Sequence, residues 1–166
     1  MHRSLRLVLL VASFLVLAGT PAFAALHEGD VAPPFTVTKA KGGALSLATY
    51  KGKPLYVNFF ASWCGPCNDE AGAVSSLYKK YRAKGLQVVG VNVLENSSKA
   101  LGFAQKYNWT FDVATDDGSM GSTYQVVALP VHVFIDRRGK ISTYRLGIME
   151  PNEIEDAIKK VLAVAR

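Results

Sequence analysis

Two cysteines in the segment "ASWCGPCNDE" are the residues of this chain best suited to chemistry. Cys64 and Cys67 are separated by Gly-Pro and follow Trp63 directly. A thiolate at such a pair attacks a disulfide of another molecule, and the second thiol then resolves the mixed disulfide. The spacing therefore indicates thiol–disulfide exchange, in which Cys64 attacks and Cys67 resolves. We expect Trp63 to shield the pair while Cys64 stays at the surface.

A zinc or copper site is the alternative use of two such cysteines. A structural zinc site is almost always four-coordinate, and after residue 24 the chain offers only His27 and His132 in addition, with no second cysteine pair. A disulfide between Cys64 and Cys67 closes too small a loop to add much stability to a fold, so a purely structural bridge is also disfavoured. We therefore expect no metal and no cofactor beyond the redox-active disulfide Cys64–Cys67.

The flanking sequence is expected to place Cys64 where a buried strand meets a helix. The apolar run Lys53–Ala61 has the length and the content of branched and aromatic residues that a strand buried on both faces requires. After the cysteines, apolar residues recur at helical spacing up to a stop at Gly85: Ala71, Val74, Leu77, Tyr78 and Tyr81. The free N–H groups and the dipole at the start of such a helix stabilise a thiolate.

The rest of the chain alternates predicted strands and helices. Strands are predicted at 35–38, 44–47, 86–94, 111–114, 131–136 and 141–146, and helices at 98–107, at 119–124 and from 151 onwards. Ser98 is the expected cap of the first of these helices. The pattern predicts an α/β fold, a central mixed sheet with helices on both faces.

The first 24 residues have the composition of an export signal. Arg3 and Arg6 precede the 12-residue apolar run Leu7–Ala18, and Ala22 and Ala24 form an A-x-A cleavage site. A membrane span needs about 20 apolar residues, so cleavage is favoured over the alternative, a retained membrane anchor. We expect a cleaved signal peptide at 1–24, a folded domain at 25–166 and a periplasmic location.

The charge of the chain does not indicate a nucleic-acid partner. Loss of Arg3 and Arg6 with the signal lowers the net charge from +6 to +4, and no run of Lys and Arg exceeds two residues. Basic residues scattered among acidic ones are typical of an ordinary solvated surface. We expect a monomer without nucleic acid.

Several stretches resemble a known family. "NFFASWCGPC" and "ALPVHVFID" are similar to the thioredoxin fold, and CGPC is the active-site tetrad of thioredoxin itself. The leader "GDVAPPFTV", the acid in "CGPCNDE" and the segment from about 98 to 113 more closely resemble the exported TlpA/ResA-like thioredoxins, which include reductases of cytochrome c maturation. The resemblance covers about Gly29–Leu162 and implies a thioredoxin fold with an N-terminal β-hairpin extension and a helix–strand insertion.

The resemblance also implies roles for particular residues. Cys64 corresponds to the nucleophile and Cys67 to the resolving thiol. Pro130 corresponds to the cis-proline that faces the disulfide, and the backbone of Leu129 to the one that pairs with the substrate chain. Trp63 belongs to the same substrate-binding surface. From the sequence alone, a trans proline at the start of a strand is the alternative for Pro130.

The proton carrier is expected to differ from that of thioredoxin. Asn58 occupies the position of thioredoxin's buried aspartate and cannot titrate. Glu70 matches the acid of ResA-like proteins and lies three residues after Cys67, on the same helix face, so we expect it to exchange a proton with Cys67. A solvated surface glutamate is the alternative. His132 is either an ordinary core histidine or, if it points toward Asn58 and Glu70, a group that shares this proton.

The resemblance implies an exported dithiol reductase of protein disulfides. A membrane thiol transporter of the CcdA/DsbD type would supply its electrons, and apocytochrome c or copper-site assembly proteins would receive them. The alternatives are a Sco-like copper chaperone, a peroxiredoxin-type peroxidase and a disulfide-forming oxidase. Sco-like proteins space their cysteines one residue further apart, and peroxiredoxins place a single attacking cysteine in a different motif.

Overall fold

The structure, a computed structural model, describes residues 25–165. The expected signal peptide, residues 1–24, lies outside them. None of the helices within 25–165 is both long enough and apolar enough to cross a membrane. The strands are β1 (Thr36–Lys39), β2 (Ala44–Ser46), β3 (Leu55–Phe60), β4 (Gln87–Val93), β5 (Asp112–Asp116), β6 (Val131–Ile135) and β7 (Ile141–Leu146). The α-helices are α1 (Gly65–Tyr81), α2 (Ser97–Lys106), α3 (Ser119–Thr123) and α4 (Pro151–Ala163), and short 3-10 turns occupy Leu47–Tyr50 and Arg82–Lys84.

The seven strands described in residues 25–165 form one mixed sheet in the order β2-β1-β5-β4-β3-β6-β7. The central strands β3, β4 and β5 are parallel, and β6 and β7 extend the sheet in antiparallel pairing beside β3. On the other side β1 pairs antiparallel with β5, so the predicted N-terminal hairpin continues the central sheet. The α/β architecture expected from the alternating pattern is confirmed.

The central strand β3 is buried along its whole length, because helices cover both of its faces. Leu55, Val57 and Phe59 pack into the core on the side of α3. Tyr56 and Phe60 pack on the opposite side, against apolar residues of α1, α2 and α4. Side chains alternate along a strand, so Asn58, the polar residue of β3, faces α1 together with Tyr56.

The connection from β3 to α1 lies at the sheet edge where β4 also ends. Only residues 61–64 separate Phe60 from Gly65. Because β6 runs antiparallel to β3, its first residue, Val131, pairs with Phe59 at this same edge. The topology therefore brings the cysteine segment and the loop that contains Pro130 together.

The boundaries of most predicted elements shift by one or two residues, and two of these shifts have an identifiable cause. Asn96, not Ser98, caps α2: its side-chain oxygen accepts a hydrogen bond from the N–H of Lys99 at 3.1 Å, and the helix already includes Ser97. Strand β5 covers Asp112–Asp116 rather than 111–114. The extension to Asp116 follows from pairing with β4, in which Val93 lies opposite Asp116.

Candidate active site

Cys64 and Cys67 form a disulfide at the N-terminus of α1. The S–S distance is 2.08 Å, and Cys64 is the N-cap residue of the helix. Its Sγ accepts a hydrogen bond from the N–H of Cys67 at 3.2 Å. The same N–H and the helix dipole are placed to stabilise negative charge on this sulfur once the disulfide opens.

The sulfurs are more covered than the sequence suggested. Cys64 is 5% exposed and Cys67 2% exposed, so the expectation that Cys64 stays at the surface is wrong, and both residues are almost wholly buried. Trp63 lies beside them with 72% of its surface exposed and therefore projects into solvent more than it covers the pair.

Cys64 lines an apolar groove of about 510 Å³. Its lining comes from three loops: Trp63, Cys64, Gly65 and Pro66 from the cysteine segment, Val93 and Leu94 from the end of β4, and Val126, Val127, Ala128 and Leu129 from the loop before β6. Leu94 and Val127 are 73% and 81% exposed. Exposed apolar side chains grouped around a reactive centre indicate a surface for a protein partner.

The Leu129–Pro130 peptide bond is cis, as the resemblance implied. Pro130 is buried and Leu129 is half-buried. Leu129 and Cys64 line the same groove, and the predicted pairing of the Leu129 backbone with a substrate chain stays a prediction.

Glu70 and its neighbour Asp69 occupy opposite environments. Asp69 is exposed, whereas Glu70 is 4% exposed and faces the core beneath the cysteines. Its Oε1 accepts a hydrogen bond from Asn58 Nδ2 at 3.1 Å, and its Oε2 accepts one from the N–H of Met149 at 3.3 Å. The structure therefore excludes a solvated surface glutamate at position 70.

Asn58, Glu70 and His132 meet in one buried cluster, together with Tyr56. In the sheet, Asn58 of β3 lies directly opposite His132 of β6. His132 is 0% exposed, and its Nε2 lies 3.3 Å from Glu70 Oε2. This contact does not meet the geometry of a hydrogen bond, and Nε2 has no hydrogen-bond partner. His132 therefore points toward Asn58 and Glu70, which is the orientation that the second of its two alternatives requires.

Tyr56 is the member of the cluster that sequence reasoning missed. Its hydroxyl lies 2.8 Å from His132 Nδ1 and accepts from Asn58 Nδ2 at 3.2 Å. Burial, and then the negative charge of Glu70, hold the pKa of Tyr56 well above its usual value. The hydroxyl therefore keeps its proton at all physiological pH values. Its place in an apolar strand gave no sign of this role.

Glu95 is a second residue that the sequence did not single out. It fixes the turn before Trp63, because its carboxylate accepts from the N–H and the hydroxyl of Ser62, each at 2.6 Å, and from Asn92 Nδ2 at 2.8 Å. Burial alone raises the pKa of Glu95, but these hydrogen bonds outweigh it and lower the pKa below the ordinary glutamate value. The carboxylate is thus charged and anchors the cysteine loop to β4.

Asn68 ties the inserted helix α2 to the cysteines. Its Nδ2 donates to the carbonyl oxygens of Cys64 at 2.7 Å and Ser62 at 3.2 Å. Its Oδ1 accepts from Lys106 Nζ at 3.0 Å and from the Tyr107 hydroxyl at 2.6 Å. The insertion therefore positions the start of α1.

Residues 25–165 contain no group of three or more His, Cys, Asp and Glu side chains arranged to hold a metal ion. His27 is exposed in the N-terminal segment, which Gly29 ties to Ile141 of β7. His132 is enclosed in the cluster beneath α1. The two histidines considered as ligands therefore lie apart.

Comparisons with known proteins agree with this site. The profile of the AhpC/TSA family matches residues 29–144. The chain is 31% identical to the thiol-disulfide oxidoreductase ResA of Bacillus cereus over 167 residues, covering 94% of this chain and 96% of the relative. It is 35% identical to the thioredoxin-like protein YneN of Bacillus subtilis over 136 residues, covering 80% and 79%.

Two solved structures show the same fold. One, provisionally assigned as thiol:disulfide interchange protein DsbE of Chlorobium tepidum, superposes with a TM-score of 0.76 at 33% identity, covering 84% of this chain and all of that one. The other, a secreted disulfide oxidoreductase of Mycobacterium tuberculosis homologous to E. coli DsbE, gives a TM-score of 0.68 at 28% identity, covering 75% and 94%. The mixed sheet with its helices is thus the thioredoxin-like fold predicted from the sequence.

Proposed function

This chain belongs to the AhpC/TSA family and is a thiol-disulfide oxidoreductase of the ResA and DsbE type, and we propose that it works as an exported dithiol reductase of protein disulfides. One observation carries the proposal. The Cys64–Cys67 disulfide lies at a helix N-terminus, and Cys64 lines an apolar groove.

The proposed reaction transfers two electrons from the reduced pair to a partner disulfide. The Cys64 thiolate attacks one sulfur of that disulfide, an S–S bond forms between them, and the other partner sulfur leaves as a thiolate. Cys67 then loses its proton and attacks Cys64, which releases the second partner sulfur. The partner gains two thiols, and the Cys64–Cys67 disulfide forms again.

We propose Glu70 as the group that accepts the Cys67 proton and returns it when the pair is reduced again. Glu70 lies three residues after Cys67 on α1, both side chains are buried, and Asn58 Nδ2 donates a hydrogen bond to the carboxylate at 3.1 Å. Asn58 cannot titrate, so it serves as a hydrogen-bond donor to the carboxylate. A positioned acid or base of this kind accelerates a proton-coupled step by about 10²–10⁴-fold.

The residues between the cysteines support reduction as the direction of electron flow. Gly65 and Pro66 form the same pair as in thioredoxin, whose potential is about −270 mV, compared with about −120 mV for the oxidant DsbA. A reductant in an oxidising compartment needs resupply, so we propose a membrane thiol transporter of the CcdA/DsbD type as donor. Apocytochrome c or a copper-site assembly protein is the proposed acceptor.

Export is part of the proposal. The n-region, apolar run and A-x-A site of residues 1–24 support it, and the similar protein of Mycobacterium tuberculosis is described as secreted. N-terminal sequencing of the protein from a periplasmic fraction tests it. The expected first residue is Ala25, and a retained Met1 in the membrane fraction would contradict cleavage.

The reduction potential tests the direction. We expect equilibration of residues 25–166 with glutathione buffers to give a value near that of thioredoxin. A value above about −180 mV, the range of disulfide isomerase and DsbA, would overturn the reductase proposal in favour of an oxidase. Trapping mixed disulfides with Cys67→Ser in the exported full chain would then identify the acceptor.

Stopped-flow reaction with 5,5′-dithiobis(2-nitrobenzoate) tests the roles of Cys64, Cys67 and Glu70. Attack by Cys64 releases the first thionitrobenzoate, and attack by Cys67 on the resulting mixed disulfide releases the second. We expect two equivalents from the reduced protein and one from Cys67→Ser. Glu70→Gln should slow the second phase about 100-fold and leave the first within about twofold. An unchanged second phase would remove Glu70 from the mechanism.

Two further assays address the alternatives. Titration of the reduced protein with copper tests the chaperone function, and consumption of hydrogen peroxide tests the peroxidase function. We expect neither at rates or affinities that match the disulfide reaction. Stoichiometric tight copper binding that is lost in His132→Ala would favour the copper chaperone instead.

A further inference from the structure

We propose that His132 is a positioning residue, held as the neutral imidazole with its proton on Nε2, and that this N–H supports the carboxylate form of Glu70. The inference rests on the proposed role of Glu70 as proton carrier. It assigns His132 a role that differs from sharing the proton: the imidazole donates a fixed N–H and does not itself gain or lose a proton.

The hydrogen bonds around Tyr56 determine the tautomer. Asn58 has two amide hydrogens: one donates to Glu70 Oε1 at 3.1 Å and the other to the Tyr56 oxygen at 3.2 Å. The Tyr56 oxygen therefore acts as an acceptor toward Asn58, and its own hydrogen is free to donate. His132 Nδ1, 2.8 Å away, receives it. An acceptor Nδ1 leaves the single proton of a neutral imidazole on Nε2.

The Nε2–H faces the carboxylate that the mechanism uses. Nε2 is fully buried, lies 3.3 Å from Glu70 Oε2, and has no hydrogen-bond partner of good geometry. A buried N–H without a partner is costly, so it favours negative charge on the nearest oxygen. The other donor to Oε2 is the N–H of Met149, also at 3.3 Å. Glu70 thus accepts hydrogen bonds from β3 and from the segment before α4, and its Oε2 also faces the Nε2 of His132 on β6.

An imidazolium at this position would be opposed by the same groups. If Nδ1 were protonated, its N–H would face the hydrogen of the Tyr56 hydroxyl, which would have to rotate away. The same N–H would also face the amide donor Asn58 Nδ2 at 3.5 Å. On β7, the strand neighbour Arg145 lies opposite His132 but directs its guanidinium to Glu153 of α4 at 2.9 Å. Glu70 is the anion that faces the ring, and burial keeps Tyr56 protonated beside it.

Loss of the Nε2–H changes the pH at which Cys67 resolves a mixed disulfide. That step needs Glu70 as a carboxylate, because the carboxylate takes up the Cys67 proton. Without the His132 donor the carboxylate loses stabilisation, so a higher pH is needed to reach the same rate. A buried N–H dipole that faces a carboxylate oxygen at 3.3 Å favours the charged form of that group, and its removal should change this equilibrium by about tenfold, which corresponds to an upward shift of about one pH unit.

The test compares substitutions that keep or remove an N–H at this position. We expect His132→Met to raise the pH midpoint of the second thionitrobenzoate phase by about one unit, with the first phase within about twofold of wild type. His132→Gln, which retains an amide N–H but cannot titrate, should restore the midpoint to within about 0.3 units. Ser75→Ala is the matched control, because Ser75 is buried in α1 and bonds Asn108 outside the cluster; it should leave the midpoint unchanged.

The tautomer of His132 can be measured directly in the wild-type protein. The chain contains three histidines, and long-range proton–nitrogen correlation spectra of ¹⁵N-labelled protein distinguish the two neutral tautomers from the imidazolium. We expect the Nε2–H pattern for His132 at pH 7 and its loss in Tyr56→Phe, which removes the hydroxyl donor to Nδ1.

Each outcome bears on one proposal. A shift in His132→Gln as large as in His132→Met, an unchanged midpoint in both, or an Nδ1–H or imidazolium pattern would overturn the role of His132. If wild type releases only one equivalent of thionitrobenzoate, the proposed function itself fails, because Cys67 then does not resolve the mixed disulfide. The two failures are therefore distinguishable in the same experiment.

Discussion

Glu95 should stabilise the fold more than its partly exposed position suggests. Its carboxylate accepts three hydrogen bonds, two from Ser62 at 2.6 Å and one from Asn92 at 2.8 Å. Replacement by glutamine removes the charge and turns one of the two acceptors into a donor that faces another donor. The change keeps the size of the side chain, so the loss reports the hydrogen bonds and not a cavity.

The magnitude follows from the number of bonds affected. A hydrogen bond to a charged group contributes about 1.5–3 kcal/mol, and a buried donor left without a partner costs about 1–3 kcal/mol. At least one of the three bonds is lost, and the others weaken as the charge disappears. We expect Glu95→Gln to lower the free energy of unfolding by about 2–4 kcal/mol, a large part of the 5–15 kcal/mol typical of a domain.

Urea unfolding at pH 7 measures this loss for Glu95→Gln, Ser62→Ala and the double variant. Since Ser62 and Glu95 share two hydrogen bonds, the two substitutions should couple by about 1 kcal/mol or more. Glu28→Gln is the matched control, because Glu28 is exposed and pairs with Lys160 at the surface. Such a pair contributes about 0–1 kcal/mol.

The pH dependence provides a second test. The folded pKa of Glu95 is lowered, because its hydrogen bonds outweigh burial. Its contribution is therefore fully present above the unfolded glutamate value of about 4.3 and is lost as pH falls through the lower folded pKa. Glu95→Gln should lose less stability than wild type between pH 6 and pH 3. A loss below 0.5 kcal/mol at pH 7, or an acid dependence equal to that of wild type, would refute the reasoning.

Three further predictions concern the stability of the fold. Gly90→Ala should destabilise the domain by about 1–3 kcal/mol, because a Cβ there would lie 2.6 Å from the Trp109 ring. The control Gly102→Ala lies in an exposed part of α2 with open space around it and should be neutral or stabilising. Thermal melting compares the two variants. The pKa of Asp136 is lowered, because hydrogen bonds from the β6–β7 turn outweigh the effect of burial. The contribution of Asp136 to the free energy of unfolding is therefore lost in acid, and in Asp136→Asn the urea midpoint should fall less steeply below pH 4 than in wild type. Asn68→Ala removes the donor to two carbonyls of the cysteine loop and should lower the urea midpoint by an amount that corresponds to about 1–2 kcal/mol; no change would show that α2 does not hold the loop.

The local sequence was sufficient for the elements and for the chemistry of the cysteines. Strand β3 and helix α1 follow from an apolar run and a helical repeat, and both signals lie within a few residues of Cys64. Glycine and proline mark the turns and the start of α4. Boundaries were less exact, as the cap of α2 shows, because Asn96 and Ser98 are both good cap residues and only the path of the chain selects one.

The partners of the buried residues could not be derived in the same way. Asn58 and His132 are opposite each other because β3 and β6 pair in one antiparallel register, and a shift of β6 by one residue would send the His132 side chain to the other face of the sheet. Ser62 and Glu95 meet because β3 and β4 end at the same edge of the sheet. Such contacts join residues far apart in sequence, so no local pattern reveals them.

For this protein, the sequence by itself determined a redox-active Cys-Gly-Pro-Cys pair at the junction of a buried strand and a helix. Local preferences and the chemistry of thiols are properties of short segments, which is why that much was accessible. The tertiary structure decided that Glu70 is buried while Asp69 is exposed, and that Tyr56 and Asn58 hold His132 against it. Burial and register depend on how distant strands and helices pack, and these determine which groups surround the proton carrier.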